Sequence, residues 1–208
     1  MPRGLKAGSS IYDCSCGYQW LLYASILCVV YRENPNKRRY ETVILEVGRK
    51  NFKTFIIATI FILLFLLKPK FSKFYSVAPN GALSRKVKTA IESMRSGQLN
   101  ILNKLECIIS TKYPMANNPF EDEVNYAKRI LDGTQNNETV FSLLYEPDNT
   151  EDWTFDDTIL KQANPVALEI PEIWEDLIKK RARAISIESA RENFLTKHCN
   201  IIYQGAGI

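Results

Sequence analysis

Short apolar runs alternate with helical patterns along most of this chain. Runs of β-branched and apolar residues, each of a strand's length, occur in four segments: YETVILEV (40–47), KFYSVAPN (73–80), LECIISTKYP (105–114) and VFSLLYEPD (140–148). Helical patterns cover about Gln19–Tyr31, the stretch from Lys53 to Lys68, and a segment that begins near Leu83. Parallel strands that are covered on both faces read as continuous apolar runs, and strands that alternate with helices indicate βα units. The pattern therefore predicts an α/β fold, with a mostly parallel sheet flanked by helices.

The two ends of the chain have different patterns. Residues 1–17 are small and polar without periodicity, so we expect a poorly ordered N-terminal arm. IPEIWEDLIKKRARAI (170–185) has apolar residues at helical spacing with Pro171 in its first turn. Ser189 to Glu192 then predict a capping box for a further helix through NFLTKHC. The predicted organisation is an arm over 1–17, an α/β domain over 18–165 and a helical linker over 166–208.

The most apolar stretch of the chain has two interpretations. Twelve of the thirteen residues from Phe55 to Leu67 are apolar, and Lys68-Pro69-Lys70 follows. A membrane core needs about 20 apolar residues, and runs of about 10 to 14 are typical of buried helices. We therefore expect a buried core helix. A small protein with a single membrane span over residues 55–67 stays as an alternative, because flanking lysines could lengthen the span.

Charge and cysteine content narrow the class of protein. Residues 1–90 hold 15 lysines and arginines against four acidic residues, whereas the remainder of the chain is acidic on balance. A basic N-terminal part favours the binding of polyanions such as nucleotide phosphates or nucleic acid. The five cysteines are odd in number and scattered along the sequence, which favours free thiols in a reducing compartment.

A candidate phosphate-binding loop precedes the apolar helix. The order of elements is strand, glycine-started basic loop, Lys53-Thr54 and helix. Backbone N–H groups and the dipole at a helix N-terminus bind phosphates, a lysine supplies a mobile charge, and a threonine hydroxyl ligates magnesium. The usual pattern is G-x-x-x-x-G-K-[ST], but Val47 and Phe52 occupy the two glycine positions here and Gly48 is displaced by one.

The segment VILEVGRKNFKT resembles the phosphate-binding loop of tailed-bacteriophage terminase large subunits, the ATP-driven DNA-packaging motors. That loop commonly reads Gly-Arg-Lys-Asn-Gly-Lys-Ser/Thr, from which Phe52 departs. The resemblance continues, in the family's order, over about residues 18–203. It is carried by YQWLLYASILCVVYRENPNKRRY, FYSVAPNGALSRKVKTAI, CIISTKYP, SLLYEPDNTEDWTFDDTILKQANP with Asp152-Trp153 and Ala163-Asn164-Pro165, and SARENFLTKHCNI.

The resemblance implies a P-loop ATPase-like domain that binds ATP and Mg²⁺. It assigns adenine contact to Gln19, magnesium to Thr54, and a coupling motif, which relays the state of the nucleotide, to Ser110 and Thr111. The residues expected to bind ATP are Gln19, Gly48, Arg49, Lys50, Asn51, Lys53 and Thr54, of which Arg49 and Lys53 are also catalytic. The implied partners are double-stranded DNA, the portal protein, the small terminase subunit and further copies in a ring. The implied location is the cytoplasm of the bacterial host, without stable membrane association.

Two parts of the family pattern are missing from the sequence. The strand that ends in the magnesium-binding and water-activating carboxylates would fall near residues 93–94, where segments that are separate in the family abut. The acidic groups Glu121–Glu123 and Glu146 do not fit that role and are interpreted as solvated turns. The chain also ends where the family continues into a nuclease domain.

These departures favour a truncated and internally deleted terminase ATPase domain, which binds ATP but is catalytically impaired. A non-catalytic nucleotide- or DNA-binding module is the main alternative.

Overall fold

Three parallel strands form the sheet of this protein. The computed structural model describes residues 8–67, 92–98, 101, 103–114 and 118–203 of the 208. The strands are β1 (Thr42–Glu46), β2 (Glu106–Ser110) and β3 (Val140–Leu144), in the order β2-β1-β3. Both pairings are parallel, so all three carboxyl ends lie at one edge of the sheet. This confirms an α/β fold with a parallel sheet; the predicted strand at 73–80 and the start of the helix near Leu83 lie outside the described residues.

Helices surround this sheet and continue beyond it. Residues 92–97 are helical as well. The helices with described bounds are α1 (Ile11–Cys14), α2 (Gly17–Leu27), α3 (Lys53–Leu67), α4 (Pro119–Leu131), α5 (Asp157–Ala163), a 3₁₀ turn (Pro165–Leu168), α6 (Pro171–Ser186) and α7 (Glu188–His198).

The central strand β1 is buried on both faces. Val43, Leu45 and Val47 share one hydrophobic core with buried residues of α2 and α3. Because side chains alternate along a strand, Ile44 and Glu46 point to the opposite face, where α4 packs on β1. Burial on both faces explains why this strand reads as an unbroken apolar run.

Helix α3 is buried along one face only. Ile56, Ile60 and Leu64 lie in the core, whereas Phe65 and the two leucines that follow it are more than two thirds exposed. The prediction of a buried core helix therefore holds for one face only, because Ile62 and the last turn are exposed. In the described part of the chain, no helix is both long enough and apolar enough to cross a membrane.

The N-terminal segment is more ordered than its sequence indicates. Ser10 caps α1 by accepting a hydrogen bond from the Asp13 N–H at 3.2 Å, and Cys14 and Cys16 are fully buried. The prediction of a poorly ordered arm over residues 1–17 is therefore wrong for residues 8–17. Helix α2 ends four residues before its predicted end, where the buried Arg38 guanidinium donates to the Ile26 carbonyl at 3.1 Å.

The C-terminal helices form a second hydrophobic cluster. Leu160 of α5, Leu177 of α6 and Phe194 of α7 are among its buried members. The predicted helix over 170–185 is confirmed by α6, and a further helix follows as expected. The predicted capping box is wrong, because α7 begins at Glu188 after Ile187 and Ser189 is already helical.

Candidate functional site

The candidate loop joins the carboxyl end of the central strand to the N-terminus of α3. The helix begins at Lys53, and the Ile56 N–H donates to the Phe52 carbonyl at 3.0 Å. The N–H groups of residues 53–55 precede that bond and belong to the first turn, where backbone donors lack helical acceptors. Ligands of parallel α/β sheets bind outside the carboxyl ends of the strands, so this helix N-terminus is well placed for an anion.

The loop has an unusual backbone for its sequence. Lys50 and Phe52 both have left-handed φ angles, of 72° and 55°. Phe52 occupies the position where the resembling loops have glycine, and glycine adopts this conformation without a steric penalty. The loop therefore keeps a conformation suited to glycine, although a bulky residue at this position costs about 1–2 kcal/mol.

Lys53 bends back over the loop that precedes it. Its ammonium donates to the carbonyl oxygens of Val47 and Gly48, at 3.0 and 2.8 Å. Burial, together with the charges of Arg49 and Lys197, lowers the pKa of Lys53 to about 8. Several cations thus surround the loop, and a bound anion would relieve their mutual repulsion.

A cleft of about 740 Å³ opens in front of the loop, between it and α6. This volume is within the range of about 300–1,000 Å³ that is typical of small-molecule sites. In the described part of the chain, the cleft is lined by Arg49, Lys50, Phe52, Lys53, Thr54, Phe55, Glu172, Ile173 and Asp176. Lys50 forms an ion pair across it with Asp176, at 3.4 Å. The structure thus brings four predicted site residues into one cleft.

The other predicted loop residues shape the loop from behind. A Cβ atom on Gly48 would lie 2.4 Å from the Asn164 Oδ1 atom, so only glycine fits there. The buried Asn51 amide donates to Asn164 Oδ1 at 2.8 Å, and its own Oδ1 accepts from the Val166 N–H at 3.1 Å. Asn51 therefore fastens the loop to the Ala163-Asn164-Pro165 segment.

The C-terminal linker holds the other side of the loop. The Arg49 N–H donates to the Lys197 carbonyl at 2.5 Å, and the Asn164 amide donates to the His198 carbonyl at 2.6 Å. Burial and the charges of Lys180, Lys50 and Arg49 lower the pKa of His198 to about 4. Helix α7 therefore ends directly against the candidate site, which the linker helices help to form.

Gln19 lies beside the loop but not in the cleft. It is fully buried, and its Oε1 atom accepts from the Cys16 N–H at 2.9 Å at the start of α2. Its neighbour Tyr18 donates a hydrogen bond to the Asn51 carbonyl. Contact between Gln19 and adenine stays a prediction, and it would require this cap to open.

The predicted coupling residues lie beside the start of the loop. The Val47 N–H donates to the Ser110 carbonyl at 3.2 Å, so the end of β2 is fixed to the residue before Gly48. Ser110 Oγ donates to the carbonyl of Thr111 at 3.2 Å, and Thr111 is buried. This segment is thus hydrogen-bonded to the start of the loop, and the coupling role of Ser110 and Thr111 stays a prediction.

A buried ion cluster, which the sequence interpretation missed, lies at the same edge of the sheet. It is centred on the Lys112 ammonium, which lies 3.3 Å from Glu46 of β1, 2.9 Å from Glu121 of α4 and 3.3 Å from Glu146 after β3. Burial raises the pKa of Glu46 to about 7, against the smaller opposing effect of Lys112. Burial alone would lower the pKa of Lys112, but the three carboxylates outweigh it and raise that pKa.

The cluster corrects the interpretation of the acidic segments as solvated turns. Glu121 is buried in the first turn of α4, and Glu146 shares Lys112 with it. A helix start was readable from Asn118-Pro119, because asparagine caps helices and proline favours their first position. Among the described residues, no three His, Cys, Asp or Glu side chains come together as a metal-binding group.

Comparison of the chain with protein-family models, with curated proteins and with solved structures finds no match.

Proposed function

We propose that this protein binds ATP with Mg²⁺ at the loop Gly48–Thr54, and that it is an incomplete terminase-type P-loop ATPase domain. The observation that carries the proposal is the placement of Lys53. Its ammonium closes a loop that connects the central parallel strand to a helix N-terminus, and the loop faces a cleft of nucleotide size. This is the arrangement that a phosphate-binding loop requires.

The cationic and hydroxyl side chains of the cleft have the following roles in this proposal. The N–H groups of the first turn of α3 and the Lys53 ammonium bind the phosphates, with Arg49 and Lys50 as further cations. Thr54 lines the cleft and offers a hydroxyl to magnesium. A hydroxyl oxygen is a donor that Mg²⁺ accepts beside nucleotide phosphates, so this residue fits the ion. Bound magnesium would offset the negative charge of the phosphates.

We further propose that hydrolysis is slow. Of the carboxylates at this edge of the sheet, Glu46 is fully buried, and Glu46, Glu121 and Glu146 are all paired with Lys112. A water-activating base must be able to reach water at the terminal phosphate, and losing it reduces the rate by about a hundred-fold or more. The same pairing of these carboxylates with Lys112 also favours the second candidate, a non-catalytic nucleotide-binding module.

The wider part of the proposal rests on resemblance. In a terminase, double-stranded DNA, a portal protein, a small subunit and a ring of copies would be the partners, and Ser110 and Thr111 would relay the nucleotide state. The contact of β2 with the loop supports such a relay, because Val47 bonds directly to Ser110.

Titration calorimetry with MgATP tests the binding site. Lys53→Met should weaken ATP binding about 10- to 100-fold, because hydrogen bonds to charged groups contribute about 1.5–3 kcal/mol. Lys179→Met, an exposed change on α6, is the matched control and should bind like the wild type. Equal affinity of the Lys53 variant and the wild type would overturn the assignment.

Phosphate release measured on the same samples separates the two candidate functions. Slow release that Lys53→Met abolishes indicates an impaired ATPase. Saturable binding with no release at any ATP concentration indicates the non-catalytic module.

A further inference from the structure

The cleft beside the loop has two chemically different parts. Arg49, Lys50 and Lys53 make one part cationic, whereas Phe52, Phe55 and Ile173 form an apolar wall. Phe52 and Ile173 also pack against the main hydrophobic core, which fixes their positions. Phosphates account for the cations and core packing accounts for Phe52 and Ile173, but neither gives a reason for Phe55 to line the cleft.

We infer that this wall is a nucleobase subsite, in which the base stacks on Phe55. The protein makes no hydrogen bonds to the edge of the base that would distinguish one base from another. The inference rests on the proposed function, since it needs the phosphates to lie at the loop. Its occupant is the base of a nucleoside triphosphate, of either purine or pyrimidine type.

The position of Phe55 supports this assignment. It directly follows Thr54 in the first turn of α3, so its ring is carried by the same turn that offers backbone donors to phosphate. The ring is half-buried and lines the cleft, which leaves part of it accessible to a ligand. Aromatic side chains stack with any base, because every base has a π-face.

The polar groups around the cleft argue against recognition of the base edge. Gln19 is fully buried and is not among the described residues that line the cleft, and its Oε1 atom already accepts from the Cys16 N–H. Asp176 is paired with both Lys50 and Lys180. Glu172 is exposed, where water competes with a base for its oxygens. Thr54 is the one uncharged polar side chain among the described residues that line the cleft.

Titration calorimetry with ATP, GTP, CTP and inorganic tripolyphosphate tests the inference on the full chain. Phe55→Ala should weaken ATP binding about 5- to 100-fold, the range expected for loss of one stacked base. Its affinity for tripolyphosphate should stay within about two-fold of the wild-type value. Phe55→Leu keeps an apolar side chain without a π-face and should also weaken ATP. Phe55→Trp should bind ATP with about the wild-type affinity. Phe65→Ala, on the exposed end of the same helix, is the matched control and should change the affinity for neither ATP nor tripolyphosphate.

The wild-type affinities for ATP and GTP should lie within about five-fold of each other, because no hydrogen bonds distinguish the edges of the two bases. The affinity for CTP should be lower, because its base stacks over a smaller area. A preference for one purine above about 50-fold would overturn the inference, and so would unchanged ATP binding in Phe55→Ala. Equal weakening of ATP and tripolyphosphate would assign Phe55 a role in loop structure and also overturn it. Different results would contradict the proposed function itself. In that case the wild type would not bind tripolyphosphate, or Lys53→Met would bind tripolyphosphate as tightly as the wild type does.

Discussion

Removal of Lys112 tests whether the buried ion cluster stabilises the fold. In Lys112→Met the Glu46 carboxylate, which is fully buried, loses its cation at 3.3 Å. Among the described residues its two oxygens have no hydrogen-bond partner that could compensate. Glu121 loses its ion pair with Lys112 as well, whereas Glu146 keeps its ion pair with Lys128.

The expected loss of unfolding free energy is about 3–5 kcal/mol at pH 8, the range for a buried pair that loses one partner. At pH 5 the loss should be smaller, because Glu46 then takes up a proton and no longer needs a cation. Lys104→Met is the matched control. It breaks the 3.2 Å pair with Glu41, in which the lysine side chain is 41% exposed, and should cost no more than about 1 kcal/mol.

Urea unfolding followed by circular dichroism measures both variants at the two pH values, and an unchanged slope shows that the midpoint shift reports stability. If Lys112→Met at pH 8 costs no more than Lys104→Met, the ion cluster does not stabilise the fold. A larger loss at pH 5 than at pH 8 would show that the Glu46 carboxylate is not the group that needs the lysine.

Three further changes test the buried Glu46 carboxyl and the backbone of the loop. Burial raises the pKa of the Glu46 carboxyl from 4.5 to about 7, and Glu46→Gln removes this group. Between those two pH values the folded wild type keeps a proton that the unfolded chain releases. As the pH rises from 4.5 to 7, the stability of the wild type should therefore fall relative to that of the variant by up to about 3 kcal/mol, and a difference independent of pH would contradict this. Gly48→Ala places a Cβ atom 2.4 Å from Asn164 Oδ1 and should cost about 1–3 kcal/mol in urea unfolding. Gly97→Ala is the control and should cost nothing, because no atom of the described residues would lie within 4 Å of its Cβ atom. Equal effects of the two changes would count against the close approach at Gly48. Phe52→Gly removes a side chain from a left-handed position and should bind tripolyphosphate several-fold more tightly in calorimetry than Phe52→Ala does, whereas equal affinities would contradict this view of the loop.

The parts of the fold that could be predicted from the sequence are those with an unmixed pattern. β1, β2 and β3 are short apolar runs, and α3 and α6 have clear length or periodicity, so each was found close to its bounds. Helix α4 was missed because the acidic run Glu121–Glu123 was interpreted as a solvated turn, although Asn118-Pro119 signals a helix start. Glu121 is buried and paired with Lys112, which follows β2, and local sequence does not show such a contact.

The site was predictable only in its local part. The loop and Lys53 follow from adjacent residues, and they occupy the strand-to-helix junction that the pattern predicts. The ion cluster joins residues 46, 112, 121 and 146, which only the parallel sheet brings to one edge. The docking of α7 on the loop uses the backbone carbonyl of Lys197, and backbone contacts leave no signal in residue types.

A structure of the full chain with Mg²⁺ and a slowly hydrolysed ATP analogue would show whether the loop binds phosphate. Phosphate oxygens should lie within hydrogen-bond distance of the N–H groups at the start of α3. The Lys53 ammonium should turn from the Val47 and Gly48 carbonyls to the phosphates. An analogue bound elsewhere on the protein, with Lys53 still on those two carbonyls, would contradict phosphate binding at the loop.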